Sequence, residues 1–291
     1  MPADGSAPAV SLSGLTKRFG RVAAVDDVSL DIPTGGVFGL LGPNGSGKTT
    51  LLSMVSGFIR PTDGTVTLFG HEGPAGHAQA LDKVGALIER PIFWPYMSCR
   101  DNLKCLQGIY GSDGGNPEIE DLLDAVNLGG DAARRKFRAC STGMKQRLGI
   151  AAALLGDPSL LILDEPTNGL DPVGIIEVRD LIRNLAAEGR RTVILASHLL
   201  NEVEQVCDQV AVLRRGNLLF CGPVAGMGTH ASALVRTTDD DRATVVLKEA
   251  GWEISRDLAN AGVYVSQLRP ASGSLEAGFM EVTGAAEPER E

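Results

Sequence analysis

The stretch Gly42-Pro43-Asn44-Gly45-Ser46-Gly47-Lys48-Thr49 decides the fold, because it fits the pattern G-x-x-x-x-G-K-[ST] between a predicted strand and a predicted helix. The apolar run 37–41 precedes it, and residues 49–58 have helical spacing. Glycines let successive backbone N–H groups converge on a phosphate, where the helix N-terminus adds positive potential. We therefore predict a phosphate-binding loop that uses every residue of the stretch and also Thr50.

Four side chains supply the chemistry that such a site needs. Lys48 can reach the β- and γ-phosphates of a nucleotide, and the hydroxyl of Thr49 can ligate Mg²⁺. Further along, the apolar run 160–163 delivers Asp164 and Glu165 to the carboxyl end of a strand, where open α/β sheets place ligands. We predict that Asp164 holds Mg²⁺ and that Glu165 polarises the water that attacks the γ-phosphate. Taken alone, the acidic pair also fits a solvated turn.

Composition and charge exclude several classes of protein. The chain has 291 residues, of which 43% are hydrophobic and 22% are charged, so it can build a core with room for a main domain and an appendage. Acidic residues outnumber basic ones by 36 to 27, which argues against nucleic acid as the main partner. Apolar runs are shorter than the roughly 18 residues of a membrane-spanning helix, and the first residues lack the features of a secretory signal. We expect a cytoplasmic location.

The five cysteines do not indicate a disulfide framework or a zinc site. Their number is odd, and they form no C-x-x-C pair. We interpret them as reduced and mostly buried thiols. The four histidines form no ligand cluster either, and no pattern indicates a covalently bound cofactor.

The hydrophobic pattern predicts an α/β fold. Residues 10–32 alternate in the manner of half-buried antiparallel strands. Strands at 160–163 and 192–196, with a helix at 172–188 between them, form a βαβ unit of a parallel sheet. Helical spacing near 100–110, 117–128 and 143–155 predicts a helical subdomain inserted at about 90–158.

The end of the main domain is predicted at Gly222-Pro223. It follows a strand pair at 209–213 and 217–221 that turns at Arg215-Gly216. Residues 223–291 are expected to form a small α+β accessory extension. Within it we interpret Asp239-Asp240-Asp241 as a solvated turn rather than a metal site, and 272–282 as an amphipathic helix that covers a small sheet.

Three further motifs make the chain recognisable over about residues 9–222. They are Cys140-Ser141-Thr142-Gly143-Met144-Lys145-Gln146-Arg147, then Asn168-Gly169-Leu170-Asp171, and His198 at the end of V-I-L-A-S-H. In this order they resemble the nucleotide-binding subunit of ABC transporters, a P-loop NTPase that uses ATP and Mg²⁺. The family signature is L-S-G-G-Q, so Ser141 and Gly143 match it, whereas Cys140, Thr142 and Met144 depart from it.

The resemblance implies a role for each matching residue. Two such subunits would face each other head to tail, with each ATP held by one phosphate loop and by the other subunit's Ser141 and Gly143. Asp171 would lie at the dimer interface, and His198 would contact the γ-phosphate and help to hold the attacking water. Phe19, which lies 29 residues before Lys48, matches the aromatic residue that stacks on adenine, although it also suits packing within the β portion.

Glu89 is the most informative departure from the family pattern, which usually has glutamine at this place after the strand 84–88. A carboxylate has two acceptors and no donor, so near Mg²⁺ it would bind the metal more tightly and repel the phosphates. A solvated surface glutamate is the alternative. The same substitution resembles a branch of bacterial exporters that move antibiotics or antimicrobial peptides. From Glu89, the S-T-G-M-K signature and the single-domain architecture, we expect export of a drug, an antibiotic or an antimicrobial peptide.

The segment 91–97, Pro-Ile-Phe-Trp-Pro-Tyr-Met, concentrates three aromatic residues in a chain that is only 4% aromatic. It suits docking onto a membrane permease and packing within the helical subdomain equally well. We expect an ATP-hydrolysing subunit that forms a homodimer and energises a separate permease at the cytoplasmic face of the membrane. The alternative is a soluble ABC-type ATPase clamp acting on nucleic acid or ribosomes, which usually has tandem ATP domains or a long coiled coil.

Overall fold

The structure of the chain is a computed structural model that describes residues 7–89, 91–110, 118–187, 189, 191–227, 233–237 and 265–270. The chain divides into two units, Met1–Val224 and Ala225–Glu291. The strands of the first unit are β1 Val10–Phe19, β2 Val22–Ile32, β3 Gly36–Leu41, β4 Asp63–Leu68, β5 Val84–Leu87, β6 Leu160–Asp164, β7 Thr192–Ser197, β8 Gln209–Arg214 and β9 Asn217–Pro223. Its helices are α1 Lys48–Val55, α2 Gly73–Ala80, α3 Cys99–Tyr110, α4 Ile119–Ala125, α5 Asp131–Arg134, α6 Thr142–Ala153, α7 Pro172–Ala187 and α8 Leu200–Val206.

A six-stranded sheet forms the centre of the first unit, in the order β5-β6-β7-β3-β8-β9. Neighbours are parallel from β5 to β8, and β9 runs antiparallel along the edge. Every residue of β6 and β7 is buried, because helices cover both faces of a parallel sheet and its strands are therefore continuously apolar. The predicted βαβ unit is confirmed, with β6 paired directly to β7.

A separate three-stranded sheet, in the order β2-β1-β4, confirms the antiparallel portion predicted for 10–32. Its apolar side chains alternate with exposed ones and join the buried core that also includes β3 and α1. The third strand, β4, was not predicted. Together with the parallel sheet, this portion confirms the α/β fold class.

Helices α3 to α6 lie in the chain between β5 and β6, as the helical spacing predicts. The helices predicted near 100–110 and 143–155 are observed as α3 and α6, whereas the stretch 117–128 contains the shorter α4. Asn102, fully buried on α3, accepts a hydrogen bond from the Trp94 N–H (2.9 Å) and donates to the Ser98 carbonyl (2.9 Å). It thereby fixes the turn that precedes the helix.

Three short helices, α2, α5 and α8, were not predicted. Helix α2 (G-P-A-G-H-A-Q-A) buries only Ala80 and has little amphipathic pattern to detect. Short 3₁₀ turns lie at Leu81–Lys83, Phe137–Ala139 and Val224–Gly226. In the described part of the chain, no helix combines the length and the apolar character needed to span a membrane.

The five cysteines are free thiols, of which Cys99, Cys140 and Cys207 are buried and the other two are exposed. In the second unit, strands β10 Ala233–Thr237 and β11 Val265–Pro270 pair antiparallel. The solvated turn predicted for 239–241 and the helix predicted for 272–282 lie outside the described residues.

Strand β5 depends on a glycine to pack against α6, which gives a test of this part of the fold. In Gly85→Ala the added methyl group would collide with the backbone carbonyl oxygen of Ala153 and lie 2.9 Å from the Pro158 ring. We expect a loss of about 1–3 kcal/mol in the free energy of unfolding, measured by denaturant titration. The control Gly108→Ala, on α3 with open space around it, should be neutral or slightly stabilising. Equal losses in the two variants would contradict the packing described here.

Candidate active site

The parallel pairing of β3, β6 and β7 brings the predicted site residues to one edge of the sheet. Leu41 at the end of β3 pairs with Ser197 of β7, and Asp164 of β6 pairs with Ala196. The loop 42–47 directly follows β3, His198 directly follows β7, and the pair Asp164-Glu165 lies at the end of β6. The carboxyl edge of a parallel sheet is where such folds bind ligands.

The backbone of the loop requires glycine at two positions. Gly47 has φ +107°, and a Cβ there would collide with the carbonyl oxygen of Ala24. A Cβ on Gly42 would collide with the carbonyl oxygen of Leu213 and lie 2.6 Å from the Ser46 hydroxyl. The chain can therefore curl tightly before α1, whose first N–H groups have no side-chain cap.

Lys48 lies folded back along the loop and is only 5% exposed. Its Nζ donates to the carbonyl oxygens of Gly42 (2.7 Å) and Pro43 (3.4 Å). The same ammonium group lies 3.4 Å from Oε1 of Glu165. The positive charge predicted to contact phosphate therefore adjoins the carboxylate predicted to activate water.

Thr49 and Asp164 meet as the magnesium prediction requires. The Thr49 hydroxyl donates to Oδ2 of Asp164 at 2.6 Å, while Oδ1 of Asp164 is buried without a hydrogen-bond partner. Burial raises the pKa of Asp164; the bond from Thr49 and the charge of Lys48 oppose this effect, and the charges of Glu165 and Glu89 add to it. A hydroxyl and an unsatisfied carboxylate oxygen are a donor set that fits Mg²⁺.

Glu165 also contacts His198, whose Nδ1 lies 2.6 Å from Oε2. The Glu165 backbone has φ +49°, a conformation that a non-glycine residue seldom adopts, and its N–H donates to the Ala196 carbonyl at 3.0 Å. One carboxylate therefore lies between an ammonium group and an imidazole. This arrangement can hold and deprotonate a water molecule.

Glu89 lies just beyond β5, with φ +65° and an exposed side chain. Its charge contributes to the raised pKa of Asp164, as described above. Within the residues that the structure describes, no three His, Cys, Asp or Glu side chains are grouped to hold a metal. A role for Glu89 as a metal ligand stays a prediction.

The residues that the resemblance places at the dimer interface, Ser141, Gly143 and Asp171, lie at helix starts. Ser141 caps α6, where its hydroxyl accepts from the Met144 N–H at 3.2 Å, and Gly143 lies in the first turn of the same helix. Asp171 precedes α7 and accepts from the Gly174 N–H at 2.8 Å. Phe19, at the end of β1, is 52% exposed, and Lys17 Nζ lies 5.2 Å from its ring centroid.

Sequence reasoning missed three buried polar residues behind the catalytic pair. Both carboxylate oxygens of Glu202 on α8 accept hydrogen bonds, one from Thr167 and one from Ser197. The sequence could have marked Glu202 as unusual, because a glutamate next to the core residue Val203 is seldom buried. Its partners could not be found in this way, because they lie on other segments of the chain.

Comparisons with known proteins show the family of the chain. A model of the ABC transporter family matches residues 25–168. The chain is 41% identical to the bacitracin transport ATP-binding protein of Enterococcus faecalis, over 94% of this chain and 96% of that protein. The chain belongs to the ABC transporter ATP-binding family. It is also 38% identical to the lantibiotic transport ATP-binding protein of Streptococcus pyogenes, over 72% of this chain and 89% of that protein.

A solved structure supports the same family. The cbiO1 chain of Clostridium perfringens, part of an ABC transporter complex, matches with a TM-score of 0.65 and 26% identity, over 75% of this chain and 89% of that chain. The present protein is thus an ABC ATP-binding subunit that hydrolyses ATP. ABC ATP-binding subunits dimerise and work with membrane permeases, which favours the transporter over the soluble clamp.

The buried charge of Asp164 predicts an effect on stability. Asp164→Asn removes the charge and keeps an acceptor for Thr49, so the thermal midpoint of the nucleotide-free protein at neutral pH should rise by roughly 2–4 °C. The gain should be complete above the raised pKa of folded Asp164 and should shrink as the pH falls towards the ordinary aspartate range, where wild-type Asp164 is neutral too.

Scanning calorimetry over a pH series measures this gain, with Asp180→Asn, an exposed aspartate on α7, as the control. The control should leave the midpoint unchanged. Added Mg-ATP should raise the midpoint of Asp164→Asn less than that of the wild type. A lower midpoint for nucleotide-free Asp164→Asn than for the wild type would contradict the interpretation.

Proposed function

We propose that two copies of this subunit close around two Mg-ATP and energise a separate permease that exports a peptide antibiotic. The observation that carries the proposal is the contact series Lys48, Glu165 and His198, beside the pair formed by Thr49 and Asp164, at one sheet edge. Residues 9–222 would be the ATP-binding domain, with the helical subdomain at about 90–158, and 223–291 the accessory extension.

The geometry supports hydrolysis by water activation. Lys48 and the N–H groups at the start of α1 would bind the phosphates, and Lys48 would hold the γ-phosphate beside Glu165. Glu165 would accept the proton of the attacking water, while His198, hydrogen-bonded to Oε2, keeps the carboxylate oriented. Thr49 and Asp164 would hold Mg²⁺, which would supply positive charge to neutralise the phosphates. Phe19 would stack on adenine.

The start of α6 supports a composite site shared by two copies. Ser141 is exposed, and its hydroxyl accepts from Met144, which leaves the hydroxyl hydrogen for donation. Helix α6 has 12 residues, so its N-terminus carries the partial positive charge that attracts phosphate. A second copy would present this helix start to the first copy's γ-phosphate, with Asp171 at the interface.

The segment 91–97 supports permease docking. Ile92 is 92% exposed and Tyr96 71%, while Phe93 packs edge-on against Phe137 with ring centroids 5.2 Å apart. The segment thus contributes to the helical subdomain and also leaves apolar surface free. It borders a cavity of about 200 Å³ lined by Ala86, Leu87, Pro91, Ile92, Phe93, Leu106, Gly149, Ala152 and Ala153. An apolar permease segment fits this surface, which would place the subunit at the cytoplasmic face of the membrane.

Two features support a peptide antibiotic as cargo. Two relatives are named for the transport of bacitracin and of lantibiotics. The chain also carries Glu89 and the S-T-G-M-K signature, which are the features that resemble the exporter branch.

A mixing experiment tests the composite site. Lys48→Ala disables the phosphate loop, and Gly143→Asp places a negative charge where the partner's γ-phosphate would bind, so each variant alone should lack ATPase activity. A one-to-one mixture should regain up to about one quarter of the wild-type rate, because half of the dimers are mixed and each mixed dimer has one intact site. Phosphate release after re-equilibration of the subunits measures this recovery.

The matched control mixes Lys48→Ala with Glu165→Gln. Both changes lie on the phosphate-loop side, so neither site of the mixed dimer is intact, and no recovery is expected. Recovery in both mixtures, or in neither, contradicts the head-to-tail arrangement. Full activity of either Lys48→Ala or Glu165→Gln alone contradicts the hydrolysis mechanism.

A cell experiment tests the cargo and the docking surface. Deletion of the gene from cells that carry it should increase susceptibility to bacitracin-type or lantibiotic peptides severalfold. The wild type should restore resistance, as should Ile109→Asp, which adds a charge at an isoleucine that is 75% exposed on α3. Ile92→Asp should not restore it, because the charge would be buried against an apolar permease segment.

Different outcomes contradict the proposed cargo and the proposed docking surface. Unchanged susceptibility to all tested peptides after deletion contradicts the cargo. Restoration by Ile92→Asp in cells that the deletion has sensitised contradicts the docking surface alone. The purified Ile92→Asp and Ile109→Asp proteins should both keep the wild-type ATPase rate.

A further inference from the structure

We propose that Glu202 is a positioning residue that fixes Glu165 and His198 relative to each other from behind the active site. The inference rests on the ATPase activity of the subunit and adds a residue outside the nucleotide-contacting set. Glu202 is 2% exposed, at the start of α8. Its carboxylate faces the inside of the molecule, away from solvent.

Each oxygen of Glu202 binds a different catalytic loop. Oε1 accepts from the Thr167 hydroxyl at 2.5 Å, and Oε2 accepts from the Ser197 hydroxyl at 2.7 Å. Ser197 in turn accepts from the Leu199 N–H at 3.0 Å. Thr167 and Ser197 are 6% and 0% exposed, so water does not compete for these bonds.

The two hydroxyl residues adjoin the catalytic residues in the chain. Thr167 lies two residues after Glu165, and Ser197 directly precedes His198. Glu165 and His198 also bind each other at 2.6 Å. The chain segments 165–167 and 197–198 and these hydrogen bonds therefore form a closed ring. Glu202 joins the two segments on their buried side, and the contact between Glu165 and His198 joins them at the active site.

The chemistry of this ring favours a carboxylate. Only a carboxylate accepts at both ends of one short planar group, so it takes one hydrogen bond from each loop. A glutamine accepts at one end and presents N–H donors at the other, so one of the two hydroxyl groups has to accept instead of donate. Its own hydrogen then loses its acceptor in a buried place, and its loop is held less firmly. Burying a carboxylate is less favourable for folding than burying an apolar side chain of similar size. A contribution to stability alone therefore does not explain why a glutamate occupies this position.

The expected consequence is an effect on the chemical step rather than on nucleotide binding. Lys48, Thr49 and Asp164 contact the phosphates and magnesium in the proposed site, and none of them belongs to the ring. If one catalytic loop moves relative to the other, the water held by Glu165 leaves its line of attack, and small misplacements of this kind slow reactions strongly.

The test compares Glu202→Gln with Glu204→Gln, which changes the same residue type on the exposed side of the same helix. We expect kcat of Glu202→Gln to fall by about 10- to 100-fold, with the KM and the Kd for Mg-ATP within roughly twofold of wild type. Glu204→Gln should match the wild type in all three quantities. Thermal midpoints measured alongside separate a slow enzyme from an unfolded one.

A second pair of variants decides the matter if Glu202→Gln does not fold. Thr167→Val removes the donor at nearly constant volume and should lower kcat, whereas Thr167→Ser keeps the hydroxyl and should retain most of it. Where Glu202→Gln folds, the double variant Thr167→Val with Glu202→Gln should lose less than the product of the single losses, because both changes open the same ring.

Three results would overturn the inference. The first is a folded Glu202→Gln protein with wild-type kcat. The second is a loss of Mg-ATP affinity as large as the loss of kcat, and the third is an equal loss of kcat in Thr167→Val and Thr167→Ser. Failure of the wild-type protein to hydrolyse ATP would instead refute the ATPase mechanism itself, so the two failures are distinguishable.

Discussion

The parallel pairing of β6, β7 and β3 is the constraint on which the site depends. Because Asp164 pairs with Ala196 and Leu41 pairs with Ser197, three segments that are distant in the chain end at the same edge. Each then contributes a different chemical group: a phosphate loop, two carboxylates and an imidazole. A shift of one residue in either pairing would turn these side chains to the opposite face of the sheet and separate them.

The site holds groups that oppose stability. Asp164 is a buried carboxylate with an unsatisfied oxygen, and Glu165 adopts a left-handed backbone conformation. The surrounding sheet, whose strands β6 and β7 are buried throughout, holds these groups in place. A rigid core around a strained and charged edge is typical of sites that must bind a multivalent anion and a cation together.

The sequence was informative where chemistry is local and uninformative where it depends on folding. The phosphate loop and the Asp164-Glu165 pair are continuous stretches with fixed spacing, so their chemistry was predictable. A place for His198 near the γ-phosphate followed only as an implication of the family resemblance, and its contact with Glu165 was not predicted. Helix α2 escaped prediction because its small residues give almost no periodic pattern. The partners of Glu202 were not predictable, because Thr167 and Ser197 approach it only after β6, β7 and α8 have packed.

The backbone pairing beside the aromatic segment has a mechanical consequence. The Phe137 N–H donates to the Met97 carbonyl at 2.9 Å, and the Arg138 N–H donates to the Pro95 carbonyl at 3.0 Å. Only two residues separate Arg138 from Ser141, so a displacement of the segment 91–97 would reach the start of α6 over a short distance. In the proposed complex, motion of the permease and closure of the dimer would therefore be mechanically coupled.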